Sequence, residues 1–183
     1  MHTHSCEALT AEHILTDFDC GNSELNSWLQ DHALPMQRRD YSRVFVLCLL
    51  SDSHVLGYFS LSAASMMRQE FSVTDQRKEL RETPVILLGK LAVDLRVQGQ
   101  GLATALLVQA LDRAANVSIS VGARYIAVDP IDDWARALYT RYGFSQGSGE
   151  RMYMRIKDMF ATVAAASRRE PQPSSGGSPN HED

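Results

Sequence analysis

Arg96, Val97, Gln98, Gly99, Gln100 and Gly101 run directly into Leu102-Ala103-Thr104-Ala105-Leu106-Leu107, so two glycines in three residues stand immediately before a helix-forming apolar run. Glycine removes the Cβ where a backbone must turn tightly or let another group approach. A helix N-terminus behind such a turn offers unpaired amides and the positive end of the macrodipole, which together favour an anion. A Walker A loop needs Gly-Lys-Ser/Thr, and neither glycine is followed by lysine. A dinucleotide fingerprint needs Gly or Ala where Thr104 stands and an acidic residue about twenty residues on, where this chain has "SISVG". There remains R-x-x-G-x-G, with Arg96 and the amides of Val97 to Gly101 converging on a pyrophosphate. The competing reading is a plain strand-to-helix turn that holds no ligand.

The elements that must position this loop follow from pattern. Leu102, Ala103, Leu106, Leu107, Ala110, Leu111 and Ala114 form one helical stripe. "VILLGKLAV" (85–93) before it is apolar on both parities apart from Gly89 and Lys90, as a strand covered on two faces is. "RYIAVDP" (124–130) reads as a second strand, giving a right-handed strand–helix–strand unit with parallel strands. A helix over Asp132–Tyr142 ends at Gly143, and "ERMYMRI" (150–156) closes the sheet. Upstream, "FDCGNSELNSWLQDHA" predicts a short amphipathic helix with a polar cap, and "RVFVLCLL" with "HVLGYFSLSAASM" predicts an antiparallel hairpin. The polar stretch Arg68–Thr83 reads as a surface loop or a poorly formed helix. From Ser167 the Ser-, Pro- and Gly-rich "SRREPQPSSGGSPNHED" reads as a disordered tail.

Composition narrows the partners. The chain has 183 residues, 44% of them hydrophobic and 22% charged, which suits one well-packed domain, placed here at residues 1–160. A formal charge of −4 argues against a generally basic nucleic-acid binder without excluding a local basic patch. Cys6, Cys20 and Cys48 have no C-x-x-C spacing and cannot all pair, so a reducing cytoplasm is expected rather than a disulfide framework. No signal peptide or membrane span is visible. His2, His4 and Cys6 have a chelating spacing, but at a chain terminus it reads as incidental, and no metal is expected.

"RVQGQGLA", between a strand and a long helix, resembles the acetyl-CoA motif Q/R-x-x-G-x-G/A of the GNAT acetyltransferases. The resemblance implies a GNAT fold of the α/β (α+β) class: a central mixed, twisted sheet flanked by helices, with acetyl-CoA at a splay between the central parallel strands. It makes Leu91, Ala92, Val93, Arg96, Val97, Gln98, Gly99, Gln100, Gly101, Leu102 and Ala103 the cofactor contacts. "ARALYTRYGF" matches the A-x-x-[FL]-Y-x-x-x-G-F setting in which many GNAT enzymes carry a tyrosine near the acetyl-CoA sulfur, here Tyr139. A phenol with a pKa of about 10 can protonate the thiolate that leaves when an amine attacks the thioester. Without that setting a helical tyrosine is more often a core aromatic, as Tyr142 is expected to be.

A wider resemblance, carried by "FDCGNSELNSWLQDHALPMQRRDYSRVFVLC", "VLGYFSLSAASM", "PVILLGKLAVDLRVQGQGLATALL" and "AVDPIDDWARALYTRYGF", is to the GNAT toxins of bacterial toxin–antitoxin pairs. It implies acetylation of the α-amine of aminoacyl-tRNA, a block on translation, restraint by a ribbon-helix-helix antitoxin that brings operator DNA only indirectly, and a homodimer. An α-amine, with a pKa of about 8, is partly neutral at cellular pH and needs no strong base. Asp94 and Asp129, at strand ends, read as structural rather than catalytic. Arg38, Arg39, Arg43, Arg77, Lys78 and Arg136 are the candidate tRNA contacts, with Arg81 and Arg141 beside them, because phosphate contacts supply most nucleic-acid affinity. The bland alternative is solvated charge balancing Asp40, Glu79 and Glu82. Two other functions stay open: a GNAT enzyme acting on a small amine or protein N-terminus, and a non-catalytic CoA-binding regulatory module.

Overall fold

The computed structural model describes residues 4–49 and 52–167, so the tail expected from Ser167 onward lies, beyond that first residue, outside the described residues. A seven-stranded sheet has the order β1-β2-β3-β4-β5-β7-β6. Its strands are β1 (His4–Ala8), β2 (Arg43–Leu49), β3 (Gly57–Met67), β4 (Glu82–Val93), β5 (Tyr125–Val128), β6 (Ser145–Gln146) and β7 (Met152–Arg155). Among these strands β4 and β5 pair in parallel and the other neighbours pair antiparallel. The mixed sheet flanked by helices is the expected fold class.

The parallel ladder runs from Val85↔Tyr125 to Leu88↔Val128 and stops there, while β4 continues to Val93. On its other side β4 pairs Lys90 with Ser60 and Leu88 with Leu61, so Gly89 is an extra residue bulged out of the ladder. A bulge bends its strand, and β4 parts from β5 where the bulge sits. The result is a gap between the central strands.

Helix α4 (Leu102–Ser120) crosses one face, burying Leu106, Leu107, Ala110, Leu111 and Ala114 against Phe59, Leu61, Ile86 and Leu88. This is the stripe read from the sequence. Helix α5 (Asp133–Arg141) joins the same core through Ala135, Leu138 and Tyr139, and α6 (Ile156–Ser167) through Met159. The opposite face carries Tyr58 and Met66, of the other parity on β3. Helices α1 (Ser23–Ser27) and α2 (Leu34–Arg38), joined by a π-helical turn at Trp28–Ala33, cover one part of it. The segment 68–81, with α3 (Val73–Gln76), covers the rest.

Several expectations need correction. The N-terminal stretch, where the sequence pattern predicts no element, supplies β1, because edge pairing to β2 requires only one covered face. The short amphipathic helix continues to Arg38 through the π-helical turn. The segment 68–83 is not surface loop: Phe71 is fully buried against Tyr125 and Tyr153, and Glu79 is buried, accepting hydrogen bonds from Tyr125 Oη at 2.6 Å and Arg124 Nε at 3.1 Å. The second hairpin strand starts at Gly57 rather than His54, and β4 starts at Glu82 rather than Val85. The strand at 152–155 does not close the sheet, since β6 pairs beyond it. The domain boundary at 160 falls inside α6, whose Met159 is wholly buried.

Candidate active site

The glycine loop is built by Asp94. Its carboxylate, 1% exposed, accepts from the Arg96 amide at 2.9 Å and from Arg96 Nε and Nη2 at 2.8 Å each, and from the Asp19 amide at 3.1 Å. Burial pushes the Asp94 carboxyl upward, but the Arg96 guanidinium and these amides outweigh it and hold it below the usual range. Arg96 Nη1 also binds Asp17 at 2.9 Å. The guanidinium expected to meet a pyrophosphate is therefore matched by two acids and serves as a brace. Gln98 Nε2 donates to Val93 O at 2.9 Å and Cys20 O at 3.1 Å, so residues 17–22 are stitched to the loop.

Gly99 and Gly101 have φ of +77° and +81°, a region that L side chains enter only with strain. A Cβ added to either would meet no atom within 4 Å, so both glycines face open space. Gly101 caps α4 without any side-chain hydrogen bond, which leaves the first amides of a 19-residue helix free for an anion.

That open space is a cleft of about 590 Å³, bordered by Leu91, Ala92, Val93, Gln98, Gly99, Gly101, Leu102 and Ala103 from the expected set. Arg96, Val97 and Gln100 do not line it: Arg96 is held by its acids, Val97 packs on the core, and Gln100 is exposed. The sequence reading missed the facing walls, Cys20, Gly21, Asn22 and Leu25 on one side and Ile131, Asp132 and Trp134 on the other. Gly21 at φ +84° and the Asn22 cap, which accepts from the Glu24 and Leu25 amides, are the local signals that shape the first wall.

A second cavity, of about 60 Å³, opens beside the first in the gap between β4 and β5, and Tyr139 lines it. Leu25, Leu91, Ile131, Asp132 and Trp134 border both spaces. Tyr139 is 5% exposed, packs against Phe144 with ring centroids 5.4 Å apart, and makes no side-chain hydrogen bond among the described residues. Burial, then the charge of Asp132, pushes its phenol well above its ordinary pKa. It holds its proton at any physiological pH. Tyr142 is half-buried against the core, a packing position.

Asp129 makes a two-point pair with Arg151, at 2.8 Å from both Nε and Nη2, so both strand-end acids are engaged structurally. The arginines divide. Arg38, Arg39, Arg77 and Lys78 are exposed and make no ion pair among the described residues. Arg43 pairs with Asp40 at 2.7 Å, and Arg136 binds Glu150 and Gln146. The two unpaired clusters lie on the elements covering the face opposite α4. Among the described residues no trio of His, Cys, Asp or Glu is placed to hold a metal ion, and no helix is long and apolar enough to cross a membrane.

Residues 8–144 match the acetyltransferase (GNAT) family. The chain belongs to the GNAT acetyltransferases. Its relatives include a tRNA-acetylating toxin of Mycobacterium tuberculosis, 32% identical over 151 residues that cover 81% of this chain and 90% of the relative. Among solved structures this GNAT chain resembles the toxin AtaT complexed with acetyl-methionyl-tRNAfMet, at 29% identity and a TM-score of 0.79 over 87% of this chain and 98% of that one. It also resembles a Tyr-to-Phe variant of AtaT bound to the C-terminus of the antitoxin AtaR and to acetyl-CoA, at 27% identity and a TM-score of 0.75 over 86% and 96%.

Proposed function

We propose that this GNAT enzyme transfers the acetyl group of acetyl-CoA to the α-amine of an aminoacyl-tRNA and so acts as a translation-blocking toxin. The observation that carries the reading is the adjacency of the two cavities, which share Leu25, Leu91, Ile131, Asp132 and Trp134 as walls. The larger presents helix amides and glycines suited to a pyrophosphate, and Leu91 and Asp132 wall both it and the cavity lined by a buried, protonated phenol. Leu91, Ala92, Val93, Gln98, Gly99, Gly101, Leu102 and Ala103 would hold the cofactor, which supplies an acetyl thioester. Tyr139 would then donate a proton to the departing sulfur.

The acceptor is inferred from relatives that acetylate or hold tRNA, and from Arg38, Arg39, Arg77 and Lys78 on one face of the sheet. Arg43 and Arg136, already paired, rank behind them. A ribbon-helix-helix antitoxin as restraint, operator DNA reached through it, a homodimer and a cytoplasmic setting complete the reading. The test is transfer of labelled acetyl from acetyl-CoA to purified charged tRNA, beside uncharged tRNA, free amino acids and polyamines. Label appearing only on charged tRNA supports the reading. Label on free amines instead overturns it in favour of a small-amine enzyme.

A further inference from the structure

Asp132 borders both cavities. It caps α5: Oδ1 accepts from the Ala135 amide at 2.7 Å. Oδ2 makes no hydrogen bond among the described residues. Capping explains an oxygen here, since it satisfies one orphan amide, and a negative charge complements the helix dipole. But Asn or Ser caps as well as Asp. The cap alone does not require a carboxylate, and this one lies close enough to Tyr139 for its charge to bear on the phenol.

The other charged groups around this junction are accounted for. Asp129 from the end of β5 is paired with Arg151 beside β7, Lys90 projects from β4 and makes no ion pair among the described residues, and Asp133 follows on α5, exposed. Asp94 lies behind the loop, saturated by Arg96 and two amides. Asp132 is the carboxylate that borders both the cofactor cleft and the Tyr139 cavity and has an oxygen with no hydrogen bond among the described residues.

We propose, resting on the aminoacyl α-amine reading above, that Asp132 is a further catalytic residue: its uncommitted oxygen receives the acceptor amine in the shared mouth and takes its proton. A carboxylate is a far weaker base than an amine and does not take the proton from the ammonium, so the amine attacks in its neutral form. Once the nitrogen–carbon bond forms, that nitrogen becomes far more acidic and the transfer runs downhill. The nitrogen lone pair makes the new bond to the acetyl carbon, and the carbon–sulfur bond breaks with its electron pair going to sulfur. Asp132 takes the proton from nitrogen, and Tyr139 gives its phenolic proton to sulfur. The proton on Asp132 then passes to the Tyr139 oxygen, directly or through water, and both residues are restored.

Asp132→Asn separates charge from cap. In the full chain, with bulk tRNA charged by the standard amino acids as acceptor, melting temperature and acetyl-CoA Kd should stay within error and about twofold of the parent, because the cap persists. At pH 7 kcat/KM for charged tRNA should fall about 100-fold, the scale of a lost general base. Parent and variant should both rise with pH toward 9 as the amine deprotonates, because Asp132 acts only after the bond has formed, so the loss should persist across that range. Asp132→Ser, a second capping residue without charge, should show the same loss. An Asn or Ser variant within about threefold of an active parent overturns the proposal and returns Asp132 to a cap. A parent inert on every charged tRNA refutes the acceptor reading itself.

Discussion

Replacing Tyr139 with Phe removes one oxygen and keeps the ring against Phe144. The structure sets both sides of the expected outcome. The hydroxyl makes no hydrogen bond among the described residues, and its residue is 5% exposed, so deleting it leaves no buried partner stranded. Stability should change by no more than about 1 kcal/mol, the usual net worth of a hydrogen bond that is absent here. Acetyl-CoA affinity should also survive, because the glycine loop and the α4 amides lie in the other cavity. The chemical step should not. Loss of a general acid costs roughly 10²–10⁴ in rate, or about 2.7–5.5 kcal/mol of transition-state stabilisation. The raised phenol pKa has a signed consequence: the group stays protonated beyond its ordinary value of about 10, so the parent should show no fall in kcat from Tyr139 up to pH 9. Single-turnover acetylation of charged tRNA, with parent and variant both saturated by acetyl-CoA, isolates this step from binding and release. A Tyr139→Phe rate within a few-fold of the parent would mean that water protonates the sulfur, and the tyrosine would be a core aromatic only.

Asp94→Ala strands the Asp19 and Arg96 amides and leaves a half-exposed guanidinium paired with Asp17 alone, which should cost about 2–4 kcal/mol and lower the melting temperature by roughly 5–15 °C. Because the folded Asp94 pKa is depressed, its stabilisation is present above the unfolded value of about 3.9 and is lost as pH falls through the folded value, so parent and variant melting curves should converge below about pH 4; constant separation there would refute the pairing. Gly101→Ala, at φ +81° and facing the cleft, should add about 1–2 kcal/mol of strain and raise the acetyl-CoA Kd at least tenfold by calorimetry, and an unchanged Kd would remove the loop from the site. Replacing Arg38 and Arg39 together with Ala should raise the KM for charged tRNA, to an extent that varies little with tRNA sequence and that added salt imitates, and leave the KM for acetyl-CoA unchanged; equal acetylation at moderate salt would make the pair solvated surface.

What could be read from the chain were features written in adjacent residues. The α4 stripe, the strand before it and the two glycines are local patterns, and the structure keeps their order and places most of the loop residues on one cleft. The Asn22 cap and the Asp132–Gly143 limits of α5 were legible for the same reason. The polar look of 68–81 misled because its few buried side chains, Phe71 and Glu79, have partners on β5 and β7 that no local period announces.

By itself the sequence determined that a strand, a glycine turn and a long helix would present bare amides to an anion, because φ preference, helix periodicity and the missing Cβ are properties of neighbouring residues. It also determined that Tyr139 would sit on a helix one turn before Gly143. Only the tertiary structure decided that Arg96 would be matched by Asp94 and by Asp17, a residue 79 positions away. It alone walled the cleft with Cys20, Gly21, Asn22 and Leu25 and made Asp132 a wall of both the cofactor cleft and the Tyr139 cavity. The reason is physical: charge pairing, burial and the gap opened by the Gly89 bulge depend on which surfaces meet across the sheet, and distance in space is set by packing rather than by position along the chain.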